Sequence, residues 1–218
     1  MTAYGIMLAC ALVYACVPVM TKALRPCPPF LLIGLASSIE AVFAGLAATA
    51  SGQWPDLRLA DPAFLAIAAG AIVSVTGAWL VIRGYEYMPI WRHQLFILLK
   101  PLVAAFAAWL WFGETVGWEA LPAFLLMSMG LLIAFNALRI GGSGESWSGL
   151  HILVGASSFY ALLPVCLKAA VGVVPPLAIV SLLAAGIAVL SLGLSMIFER
   201  NVWIMNWNRH FLWKLPML

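Results

Sequence analysis

Residues 14–23 read YACVPVMTKA and residues 160–169 read YALLPVCLKA. Tyr-Ala, Pro-Val and Lys-Ala recur in register, 146 positions apart from Tyr14 to Tyr160. Each copy is followed by a Pro-Pro pair, Pro28-Pro29 and Pro175-Pro176, before the next apolar run. Coincident Ala and Val are expected by chance in a chain this apolar, whereas a Tyr, a Pro and a Lys matching at fixed spacing are not. The two stretches are read as copies of one helical unit, and what lies between them decides the fold.

Composition sets the environment. With 65% hydrophobic and 9% charged residues and a mean hydropathy of +1.06, there is too little polar surface to face water on all sides, which predicts a membrane protein. The formal charge is only +3 and the basic residues are scattered between apolar runs, which argues against a nucleic-acid partner. Cys10, Cys16, Cys27 and Cys166 sit mostly within apolar runs and lack zinc or haem spacings, so they read as small packing residues. No metal or cofactor site is expected. The run from Tyr4 to Met20 lacks a basic leader and is followed by Lys22, Arg25 and prolines rather than a small-residue cleavage site, so it is expected to stay in the protein as a span.

Apolar runs fall near 4–21, 30–50, 63–82, 89–112, 119–138, 149–170 and 176–197. Each approaches the ~20 residues that an α-helix needs to cross a bilayer. They are apolar on every face, without the two-residue alternation of barrel strands. The expected fold is therefore all-α and integral to the membrane, with seven transmembrane helices. The breaks carry turn chemistry: Arg25-Pro26-Cys27-Pro28-Pro29, the segment from Ser51 to Pro62, and Gly141-Gly142-Ser143-Gly144-Glu145-Ser146. The last is the best linker, so the chain divides into a first unit 1–140, a linker 141–148, a partial second unit 149–197 and a tail 198–218.

On this count the repeated stretches open spans one and six. Five crossings separate them, an odd number, so the second copy enters the lipid from the opposite side. An inverted repeat of this kind is the sequence mark of a secondary transporter whose substrate site lies between the two halves.

The chain resembles the EamA-like branch of the drug/metabolite transporter superfamily. The resemblance is carried by Lys22 at the end of span one, by Tyr85 to Glu114 with Pro101 inside span four and Phe112-Gly113-Glu114 at its end, and by Gly130 in span five. It covers residues 3–138 well and 149–197 more thinly. It implies a protein of two five-helix repeats, of which this chain holds the first and two helices of the second. Family members often carry Trp-Gly early in the first helix and an Arg early in the second. Here Tyr14-Ala15 and Ser37-Ser38 stand near those places, and a substrate role for those positions is not carried over.

Two ionisable residues fall near mid-span, Glu40 in span two and Lys100 in span four. A lone charge there costs on the order of 2.5–3.5 kcal/mol, so each should face protein or a watery cavity. They are expected to pair, either lining a substrate or proton path or merely locking the two helices together. Pro101 removes a backbone hydrogen bond and bends its helix, and the freed carbonyl is a candidate ligand beside the commoner reading of a plain kink. Pro18 and Pro164 are read alike. Lys22 and Lys168, at span ends, are expected to snorkel to the headgroups. Gly113 turns the chain, and Glu114 is expected to cap the start of span five. Arg92 and His93, at the mouth of span four, are candidates for a proton path or interfacial hydrogen bonding. No catalytic constellation stands out, so an enzyme is not expected.

Lys22, Arg25, Arg83, Arg92, Arg139, Arg200, Arg209 and Lys214 fall on one side of the membrane, Arg58 and Lys168 on the other. The positive-inside rule then puts the tail in the cytoplasm and the amino terminus outside, whereas the resemblance implies a cytoplasmic amino terminus. In the tail, Trp203, Trp207 and Trp213 alternate with Asn206, Asn208, Arg209, His210 and Lys214, the composition of a segment lying at headgroup level or of a docking surface. The expected protein is a transporter-like carrier of the bacterial inner membrane. It would move a small metabolite, amino acid or drug, with lipid and a second copy or a larger membrane complex as partners. The alternative is an accessory subunit of a larger energy-converting or pigment complex.

Overall fold

The computed structural model describes residues 27–55, 61–87, 99–115, 117–140 and 147–200. They form six α-helices: α1 Pro29–Ala50, α2 Pro62–Tyr87, α3 Leu99–Phe112, α4 Leu121–Ile140, α5 Trp147–Leu167 and α6 Pro176–Phe198. A single turn of 3₁₀ helix, Trp118–Ala120, leads into α4. Among the described residues there is no β-strand, only one isolated bridge between Val171 and Val174. These helices fall on expected spans two to seven, with α2 running on to Tyr87 and with residues 89–98 of span four outside the described residues. Residues 4–21, the expected first span, lie outside the described residues, as does residue 201 onward of the tail. Residues 141–146 of the expected linker lie outside the described residues, and α5 begins at Trp147.

The helices α1, α2 and α6 are each long and apolar enough to cross a bilayer, with mean hydropathies of 2.0, 2.2 and 2.5. The chain is an integral membrane protein of helical type. Its exposed large side chains, among them Phe43, Leu46, Ile72, Leu126, Ile133 and Val189, are those that lipid would cover.

Proline sets where two of these helices begin. Pro28 and Pro175 hold φ/ψ of −57°/130° and −58°/144° and stand just before α1 and α6. A residue preceding proline is driven out of the α region, while proline itself is suited to the first helical position. The Pro-Pro pairs are thus start signals of similar geometry for α1 and α6. The helix α1 stops at Ser51, where Gly52 adopts φ +66°, Gln53 N–H reaches Ala48 O at 2.8 Å and Gly52 N–H reaches Thr49 O at 3.1 Å. That is the Schellman arrangement, in which a left-handed glycine satisfies the last carbonyls.

Two antiparallel helix pairs make the core. In the first, Gly34 of α1 meets Leu192 of α6 while Gly45 meets Ser181, so ascending α1 numbers face descending α6 numbers. A methyl at Gly34 would lie 2.7 Å from Leu192 Cγ and Cδ2, so only glycine permits this approach. Ser181 Oγ donates to the Ala41 carbonyl at 3.2 Å across the same seam. In the second pair α2 packs on α5, with Gly70 against Leu163 and Gly77 against Tyr160. The pairs are joined through α2 and α6, where Ala63, Ile67, Ala178 and Ile179 are buried together with Ala170 and Val174. A second cluster of Cys27, Leu32, Ile33 and Ile82 closes the opposite end, and there Phe30 stacks on Trp79 with centroids 6.1 Å apart. The helix α3 lies along α5. The helix α4 is peripheral and shows lipid-facing Leu125, Leu126, Met129, Leu132 and Ile133.

Candidate functional site

Tyr160 stands where three helices meet. On one side Gly77 of α2 lets the ring in: a methyl at Gly77 would come within 3.2 Å of Tyr160 Cδ2. On another side α3 brings Lys100 Nζ to 4.5 Å from the ring centroid. A cation so placed is attracted by the ring quadrupole, by up to about 2 kcal/mol where water is excluded. At 1.5 Å per residue Tyr160 lies about 10 Å along α5 from its end at Leu167, and Lys100, half-buried, is the second residue of α3.

Ser74 lies one helical turn from Gly77, on the α2 face that Gly70 and Gly77 share. It is 4% exposed, and its hydroxyl makes no hydrogen bond among the described residues. The ammonium of Lys100 and this hydroxyl are both donors.

The expected pairing of Glu40 with Lys100 is absent among the described residues, where neither residue takes part in the ion pairs that form. The reason is the helix pairing: α1 packs on α6, α3 packs on α5, and Glu40 lies on the exposed face of α1. Of the other described acids, Asp61 stands at the start of α2, Glu86 pairs with Arg83 at 3.3 Å, and Glu119 sits in the 3₁₀ turn.

Glu114 and Lys168 join the ends of α3 and α5 at one end of the bundle. The Glu114 carboxylate accepts from Lys168 Nζ, and that ammonium also lies 4.3 Å from the centroid of Phe112. Glu114 therefore does not serve the start of the next helix as expected; Gly117 occupies that N-cap without a side-chain hydrogen bond. Lys168 keeps its place at a helix end, but its ammonium is taken by Glu114 and Phe112. Gly113 makes this possible: at φ +65° its N–H reaches Trp109 O at 2.9 Å, ending α3 in a left-handed turn that delivers Glu114 sideways.

A carboxylate missed in the sequence joins α6 to α1 at the opposite end. Glu199, just past α6, accepts from the N–H groups of Phe30 and Leu31 at 3.0 Å each, and Ser195 Oγ donates to it at 2.8 Å. The first N–H groups of α1 have no cap of their own, because Pro28 offers no side-chain acceptor. A negative charge is favoured there by the helix dipole. The available signal was Ser195 and Glu199 at i, i+4 in the last turn of an apolar helix.

Pro164 lies inside α5 and offers no N–H to the Tyr160 carbonyl four residues back; Pro101 is the third residue of α3. Tyr14, Pro18, Lys22, Arg92 and His93 lie outside the described residues. A separate apolar cleft of about 410 Å³ opens between α3 and the start of α4, lined by Leu102, Phe106, Trp109, Trp118, Leu121 and Phe124, and holds none of the expected path residues.

Compared with protein families, residues 1–136 match the EamA-like transporter family. Neither the curated proteins nor the solved structures give a match.

Proposed function

The chain belongs to the EamA-like transporter family, and from that premise we propose that it moves a small metabolite, amino acid or drug across the membrane by alternating access. The observation that carries this reading is the antiparallel seam between α1 and α6. These are the helices that follow the two Pro-Pro pairs, they begin with the same local geometry, and they run in opposite senses. That supports an inverted repeat, whose halves rock about a site between them. The contacts at the bundle ends fit the same scheme. Glu114 of the first unit holds Lys168 of the second at one end, and Glu199 of the second holds the α1 terminus of the first at the other. Arg83 and Arg200 share the Glu199 end while Lys168 is at the other. With the positive-inside rule, this supports a cytoplasmic Glu199 end in the bacterial inner membrane.

The test is counterflow. The full chain is reconstituted into liposomes preloaded with unlabelled amino acids or small organic acids, and entry of the matching radiolabelled tracer is followed. Transient tracer accumulation above that of protein-free vesicles is expected for at least one compound. Failure of the whole panel, with folded protein in the bilayer, rejects the carrier reading.

A further inference from the structure

Lys100 is a half-buried ammonium near the start of α3 that meets a ring and, among the described residues, no carboxylate. Among the described residues the six acids are Glu40, Asp61, Glu86, Glu114, Glu119 and Glu199, and none forms an ion pair with Lys100. The remaining two, Asp56 and Glu145, fall in loop stretches of the sequence, between the apolar runs. A charged lysine partly buried between helices of a membrane protein is costly, and a ring face offsets only part of the cost. An anion would offset the rest. Ser74 adds a second donor from α2, buried and without a hydrogen-bond partner among the described residues.

We propose that the transported molecule is a small soluble organic anion, its acidic group held by Lys100 with the Ser74 hydroxyl beside it and its apolar part against Tyr160. This rests on the carrier reading and names its substrate class. Three helices contribute: α2 brings Ser74, α3 brings Lys100 and α5 brings Tyr160, so a molecule held there touches both units. A lipid headgroup carries the same chemistry, and the lipid composition of the disc distinguishes it from a soluble anion.

The experiment uses three molecules of one shape and different charge: benzoate, benzamide and benzylamine. The full chain is placed in nanodiscs of phosphatidylcholine, and its thermal midpoint is followed against the concentration of each. A saturable rise with benzoate alone is expected, retained in Lys100→Arg, weakened at least tenfold in apparent affinity in Lys100→Met and a few-fold in Ser74→Ala. Equal protection by benzamide or benzylamine, no protection by any of the three, or benzoate protection unchanged in Lys100→Met overturns the proposal. So does a Lys100-dependent protection by phosphatidylglycerol in the disc without one by benzoate, which assigns the site to a headgroup. The liposome assay separates the two readings. Lys100-dependent benzoate binding without counterflow of any tracer removes the carrier and leaves the anion site; counterflow confined to amines or neutral compounds removes the anion and leaves the carrier.

Discussion

Glu199 does for α1 what no residue of α1 can do. A proline start gives a helix its first φ angle but leaves N–H groups facing an apolar end, and a carboxylate from α6 takes two of them. Replacing Glu199 by Ala removes both bonds and the favourable charge, at an expected loss of about 1–2 kcal/mol, the size of a lost N-cap. Glu199→Gln, which keeps one carbonyl acceptor, should lose less. Denaturation of the purified protein in mixed micelles measures both, and a Glu199→Ala variant as stable as the parent would show the contact to be idle. The pair of Glu114 and Lys168 is of another kind. Its side chains are 53% and 40% exposed, so screening and side-chain entropy leave it about 0–1 kcal/mol. A double-mutant cycle on Glu114→Gln and Lys168→Met should return a coupling in that range.

Helix ends and helix seams depend on glycines for two separate reasons. At Gly113 there is open space around a would-be side chain, and the constraint is the backbone at φ +65°. Gly113→Ala is therefore expected to cost about 1–2 kcal/mol through left-handed strain alone, and to weaken the contact between Glu114 and Lys168 by misdirecting Glu114. At Gly34 the backbone is ordinary helix and the constraint is Leu192, 2.7 Å from the missing methyl. Gly34→Val should separate α1 from α6 at an expected cost of about 1–3 kcal/mol, and Leu192→Ala in the same chain should recover part of it. Recovery at Gly34 and none at Gly113, read from the same denaturation curves, would distinguish steric from conformational control.

The arrangement of the bundle is tested by cross-linking. In a chain freed of its native cysteines, Gly45→Cys with Ser181→Cys should join readily through a short bifunctional reagent, since a Cβ at Gly45 lies 3.1 Å from Ser181 Oγ. Gly34→Cys with Ser181→Cys should not, because Gly34 is at the Leu192 level of the antiparallel seam. Equal yields for both would contradict the opposed directions of α1 and α6. Joining α1 to α6 in this way is also expected to suppress counterflow in the liposome assay, if the two units must move against each other.

The apolar runs and Pro-Pro signals were readable along the chain because lipid demands continuous hydrophobicity and proline acts on its immediate neighbours. The runs near 30–50, 63–82 and 176–197 therefore follow from local chemistry, as does the Gly113 turn, whereas the extension of α2 to Tyr87 does not. The partners of Glu114, Lys100 and Glu199 did not follow. A charge near mid-span states only that it needs compensation, and Glu40 looked as suitable for Lys100 as any group until α1 was found on α6 and α3 on α5. Which helix lies against which is set by small residues matching across a seam, Gly34 with Leu192 and Gly77 with Tyr160. That match is a property of two surfaces brought together from distant stretches of chain, and no single stretch contains it.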